Sequence, residues 1–185
     1  MKLDITLKIT PDMVKSAQAH TDPVLVGHMG THFDVMDKEF PLDYTLRRGV
    51  VFDASGVTGR DIEVADIDPE RIEADMFVAF YTGFMEQVGY GTQAYFKEHP
   101  QLSQGLIDLL LDKGVSIIGI DAAGIRRGKE HAPADQRCAD RGVFVIENLV
   151  ALDGLLSVSG PLHIHTYPVN YTQMTGLPCR VVAEI

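Results

Sequence analysis

Apolar and polar positions alternate along residues 2–9. Leu3, Ile5, Leu7 and Ile9 fall on one face, with Lys2, Asp4, Thr6 and Lys8 on the other, the period-two pattern of a half-buried strand. Thr10, Pro11 and Asp12 then supply an N-cap, a first-turn proline and a first-turn acid, so a helix is expected to follow. Further on, apolar runs at 50–52, 77–80, 115–120 and 143–146 show no alternation and read as strands buried on both faces. Between them the period changes. Over 104–113 the leucines at 106, 109 and 110 follow helical spacing, Ser103 precedes as a cap and Gly114 follows as a terminator. A second helix is expected to end near Arg141 and Gly142, and a short one to lie within 69–74. Residues 23–27 form a short β-branched run, 36–45 an irregular loop, and 81–100 a loop with helical pieces; 162–167 and 178–185 return to strand patterning. Strands alternating with helices predict a mixed α/β fold. No repeat or linker divides it, so residues 1–185 are read as one domain.

Composition narrows the class without choosing a function. The 185 residues are 45% hydrophobic and 23% charged, ordinary for a globular chain and unlike a disordered one. With 16 basic against 26 acidic residues the net charge is −10, and no Lys/Arg stripe is present to displace counterions from a phosphate backbone, so no nucleic-acid partner is expected. No apolar stretch reaches the length of a membrane span, and the alternating first residues do not resemble a signal peptide. A cytoplasmic location is therefore expected. Cys138 and Cys179, far apart in the chain, make neither a metal knuckle nor a disulfide framework.

Candidate chemistry concentrates in His28-Met29-Gly30-Thr31-His32-Phe33-Asp34. In extended backbone the two histidines and the aspartate share a face, with Met29, Thr31 and Phe33 turned to the other. A straight strand would hold His28 and His32 about 13 Å apart, too far to share an ion, but a bend at Gly30 would bring them together. Two imidazoles and a carboxylate suit Zn²⁺ or Mn²⁺ better than copper or an iron–sulfur cluster; the alternative is that the histidines cap turns. Glu147 ends a buried strand, where ligands gather in α/β folds, or else merely opens a loop. His131 and Asp135 lie in a polar stretch, and His163 and His165 alternate along a strand as an exposed face would. Arg126, Arg127 and Lys129 read as a solvated loop or as an anion clamp.

The stretch GHMGTHFD resembles the H-x-G-T-H-x-D motif of the metal-dependent cyclase family, which includes bacterial kynurenine formamidase (arylformamidase) and isatin hydrolase. Thr82-Gly83, YFKEHPQL at 95–102, GVSIIGID at 114–121, GVFVIENL at 142–149 and Asp153 resemble that family in the same order. The resemblance implies a swivelling β/β/α-type fold with a mixed sheet and flanking helices, a homodimer, and one or two divalent ions, zinc or manganese. It implies His28, His32, Asp34 and Glu147 as metal ligands, with Asp34 bridging where two ions are bound. The pattern is broken at two places. Lys38 stands where the family has an acid–base histidine, and Asp135 where it has another histidine, unless a slip in register lets His131 serve instead. A protonated lysine cannot abstract a proton, so Lys38 either stabilises a developing oxyanion or is a solvated loop residue. The expected activity is hydrolysis of a small amide, ester or cyclic substrate, with Glu147 or Asp135 holding the ion and Lys38 or His131 assisting the leaving group. The two departures support the alternative of a non-catalytic member that binds a metal or small molecule.

Overall fold

The computed structural model describes residues 1–18 and 26–185; residues 23–25 of the β-branched run lie outside them. The expected buried runs form the middle of one mixed sheet: β3 (Leu46–Asp53), β4 (Phe77–Tyr81), β5 (Ile117–Ile120) and β6 (Phe144–Glu147), all parallel to one another. An antiparallel arc completes the ring. β2 (His32–Asp34) pairs with β6 on one side and with β8 (Gly176–Glu184) on the other, and β7 (Leu162–Pro168) pairs with both β8 and β3. Seven strands thus close into a barrel-like sheet, and β1 (Lys2–Asp4) adds to the edge of β8. This is a mixed α/β architecture with a mixed sheet and flanking helices, as expected from the sequence, and the helices are few.

Side-chain alternation builds two cores from one sheet. Phe33, Phe77, Ala79, Ile117, Ile146 and Val181 point into the barrel. Val78, Phe80, Ile118 and Val145 point outward, beneath Leu106, Ile107 and Leu110 of α4 (Gln104–Lys113) and Ala134 and Cys138 of α5 (His131–Asp140). Strands sandwiched between two apolar layers need no polar face, which is why their sequences read as unbroken hydrophobic runs. The caps of α4 are as expected: the Leu106 N–H donates to Ser103 Oγ, and Gly114 takes the left-handed conformation. Helix α1 (Pro11–Gln18) likewise starts on Thr10, whose Oγ1 accepts from the Met13 N–H.

Some boundaries differ from expectation. The strand expected over 2–9 is only three residues long, because Thr6 turns its hydroxyl onto the Val181 carbonyl and crosses to Leu149 in a single bridge. The expected helix within 69–74 is one 3₁₀ turn, Pro69–Arg71. The long segment after β4 contains α2 (Phe84–Val88) and α3 (Gln93–Glu98). Among the described residues no helix is long and apolar enough to cross a membrane.

Candidate metal centre

β2 is central to the site. Gly30 adopts φ +72°, and this left-handed residue bends the chain so that His28 Nδ1 comes within 3.0 Å of His32 Nε2. The separation that a straight strand would impose is thereby removed. Beyond the bend, His32 and Asp34 share the outer face of β2 while Phe33 enters the barrel. Register places His32 opposite Glu147 and Asp34 opposite Val145, so Glu147, the last residue of β6, shares that outer face. Helix α5 covers it. His131 and Asp135 stand one turn apart on α5, with His131 Nε2 3.5 Å from Asp135 Oδ2 and 3.6 Å from Glu147 Oε1.

Two donor groups result, and Asp34 belongs to both. One is His28, His32 and Asp34; the other is Asp34, His131, Asp135 and Glu147, each with its donor atoms within 4.8 Å of one another. Asp34 Oδ1 lies 2.9 Å from His28 Nδ1 and 3.6 Å from His32 Nε2, and Glu147 Oε2 is 3.6 Å from the same His32 nitrogen. Asp135 and His131 both reach the centre, so the two alternative registers of that stretch converge on one place.

Three buried carboxyl groups this close strain one another electrostatically. Burial alone would raise Asp34, but His32 and His28 hold it far below the usual carboxylate range. Burial pushes Asp135 well above that range, reinforced by the charge of Asp34, and pushes Glu147 up likewise, reinforced by Asp34 and Asp135. Asp34 Oδ2, both oxygens of Asp135 and Glu147 Oε1 are buried without a hydrogen-bond partner. Buried polar atoms are normally satisfied, so oxygens left open toward nearby imidazoles fit a divalent cation. Gly124, at φ +116°, keeps the cage clear: a Cβ there would sit 2.5 Å from His131 Nδ1 and 3.0 Å from Glu147 Oε1.

A surrounding set of groups fixes the ligands, and these were not singled out from the sequence. The Gly30 carbonyl accepts from His32 Nδ1 at 2.9 Å and from Asn148 Nδ2 at 2.7 Å. This assigns the Nδ1–H tautomer to His32 and leaves its Nε2 lone pair to the centre. Asn148 Oδ1 in turn accepts from the Tyr95 hydroxyl. Tyr90 accepts from the Gly30 N–H, and Thr175 Oγ1 lies 2.9 Å from His28 Nε2. Asn148 and Tyr95 do fall inside sequence blocks that resemble the cyclase family.

Comparison with known proteins bears on the family and the fold. The family profile for putative cyclases matches residues 3–126. The chain belongs to the putative cyclase family. Among solved structures, this cyclase-family chain is similar to a potential metal-dependent hydrolase with cyclase activity, at 24% identity and TM-score 0.77, covering 99% of this chain and 96% of the other. A predicted metal-dependent hydrolase from Bacillus stearothermophilus matches at 23% identity and TM-score 0.76, covering 99% and 97%. Isatin hydrolase A from Ralstonia solanacearum matches at 21% identity and TM-score 0.70, covering 85% and 72%. At these identities the likeness is one of fold. No curated protein matches significantly.

Lys38 is not brought together with the donor groups. Met36 takes a left-handed conformation at φ +56°, and the Lys38 N–H closes a turn onto the Val35 carbonyl. The ammonium ends 2.8 Å from Asp140 and 3.0 Å from Asp37, and these carboxylates raise its pKa further. It is a protonated surface tether to the far end of α5, and the placement gives no support to leaving-group assistance. The anion clamp at 126–129 is also absent. Arg126 is buried and engaged by Asp61, Glu130 and the Leu102 carbonyl.

Proposed function

We propose that this cyclase-family protein is a metal-dependent hydrolase of a small amide, ester or cyclic substrate. The observation that carries this reading is the convergence of four unpartnered buried carboxylate oxygens with three imidazoles on one outer face of β2 and β6. The names of the similar structures, metal-dependent hydrolases and an isatin hydrolase, support it. His28, His32, Asp34, Asp135, His131 and Glu147 would hold the metal, zinc or manganese, as one ion or as two sharing Asp34. A divalent ion there supplies a water acidic enough to ionise near neutrality and polarises a carbonyl.

The remaining chemistry belongs to the chain. Asn148 and the Gly30 carbonyl keep His32 in one tautomer and orientation. His131, its side chain 34% exposed against 2% for Asp135, is the donor of its group best placed to meet substrate. Glu147 Oε1, 3.6 Å from His131 Nε2, orients that imidazole. Arylformamidase activity is the first to assay, a homodimer the assembly proposed, and the cytoplasm the proposed location.

Elemental analysis of the purified protein tests the metal, with at least one equivalent of zinc or manganese expected. A substrate panel that includes N-formylkynurenine tests the reaction; turnover should need the metal and vanish in His32→Ala. Metal well below one equivalent, with no uptake of added Zn²⁺ or Mn²⁺, rejects the proposal. Lys38, tied to Asp37 and Asp140, favours a second reading in which the scaffold binds a metal or small molecule without catalysis. Stoichiometric metal with no turnover across the panel would select it.

A further inference from the structure

The two donor groups that meet at Asp34 differ in chemistry. His28, His32 and Asp34 present two imidazole nitrogens and one carboxylate oxygen; Asp34, His131, Asp135 and Glu147 present one nitrogen and three carboxylates. Imidazole-rich sets suit zinc, whereas carboxylate-rich sets suit harder ions such as manganese and magnesium. We infer that the centre is chemically asymmetric, with the half under α5 more favourable to a hard divalent ion of the manganese class than the histidine-rich half, and Asp135 the residue that makes it so. The inference rests on the metal reading above and adds which ion each half prefers.

Burial gives the argument its force. Asp135 is 2% exposed, and neither of its oxygens has a hydrogen-bond partner. An acid placed that way for packing alone would be left with an uncompensated desolvation penalty. Glu147 Oε1 and Asp34 Oδ2 are open in the same sense, so three carboxylates offer buried, unused oxygen to the second group. On the other side His28 and His32 meet at 3.0 Å beside Asp34 Oδ1, with Glu147 Oε2 3.6 Å from His32 Nε2 and Thr175 Oγ1 2.9 Å from His28 Nε2. The single nitrogen of the second group, from His131, lies one helical turn before Asp135. A histidine at 135 would therefore give that group two nitrogens, as many as the other half has.

The test uses the metals themselves on apo protein made by chelation. Mn²⁺ binding is followed by loss of the free-ion electron paramagnetic resonance signal, and Zn²⁺ by competition with a chromophoric chelator. Dialysis against Mn²⁺ alone should leave at least one equivalent bound, and Asp135→His should lower the Mn²⁺-to-Zn²⁺ affinity ratio by about tenfold or more. His28→Gln should weaken zinc binding while manganese remains. Asp135→Asn keeps the side-chain shape and one oxygen donor; circular dichroism matching the parent with weakened Mn²⁺ binding would support the inference without depending on how the histidine variant folds. Zinc binding with no manganese retained after dialysis against Mn²⁺ alone, or an unchanged ratio in Asp135→His together with unchanged Mn²⁺ binding in Asp135→Asn, overturns it and leaves the hydrolase reading standing. No binding of either ion overturns both.

Discussion

Asn148 holds a left-handed backbone at φ +60°, and both ends of its buried amide are engaged, Nδ2 on the Gly30 carbonyl and Oδ1 with the Tyr95 hydroxyl. It joins the bend that positions His28 to the strand end that presents Glu147. Partners of this kind commonly tune metal affinity by about 10–100-fold, so Asn148→Ala should weaken zinc or manganese binding by that order in a chelator competition, with the circular dichroism spectrum little changed. The ligand motif at 28–34 was legible because its residue types are chemically distinctive and its glycine sits where the bend is needed. Asn148 and Tyr95 were not, because a hydrogen bond between distant positions leaves no local pattern. Of the two readings left open for Lys38, its ion pairs with Asp37 and Asp140 favour the solvated one. A motif position does not fix direction in space, and the left-handed turn at Met36 sends the segment toward Asp140.

At the scale of elements, the buried strands and α4 were legible because each carries its whole signal in a few consecutive residues. β1 was over-extended: Leu7 and Ile9 continue the alternation, but Thr6 leaves the sheet edge for a bridge to Leu149 that only the closed barrel supplies. Central β5 contains Gly119, a glycine that packing requires. A Cβ there would lie 2.7 Å from the Leu149 side chain and 3.1 Å from the ring of Phe77. Overpacking of such a core costs about 1–3 kcal/mol. Gly119→Ala should lower the unfolding free energy by that amount in urea titration, while Gly56→Ala, with open space around its Cβ, should change it little.

For the whole molecule, pH dependence has a source in His99, which belongs to neither donor group. His99 is 1% exposed, with Nδ1 2.9 Å from the Pro100 carbonyl, and burial lowers its pKa from 6.5 to about 4. Above pH 6.5 neither the folded nor the unfolded chain protonates it. Between pH 6.5 and 4 only the unfolded chain takes up the proton, so stability falls across that window, by on the order of 3 kcal/mol from this group. Thermal unfolding should show the decline, and His99→Gln should flatten it. Metal acts in the opposite direction. An ion that binds only the folded centre adds about 2.7 kcal/mol at a free concentration one hundred times its dissociation constant, so chelation should lower the melting temperature and added Mn²⁺ or Zn²⁺ restore it. The closed ring of strands could not be read from sequence, because its closing pair, β7 with β8, depends on where two separated strands meet.

The pairing of His32 with Glu147 also sets a schedule for folding. The two ligands enter from opposite ends of the chain, separated by nearly all the parallel strands, so the loop they close is long and its entropy is lost before any contact compensates. A nascent or partly folded chain can present the His28–His32–Asp34 group early but cannot assemble the carboxylate-rich half until α5 and β6 are in place. Ion capture by that half is thus a late event, and a spectroscopic signal from bound manganese should lag the appearance of helical circular dichroism during refolding.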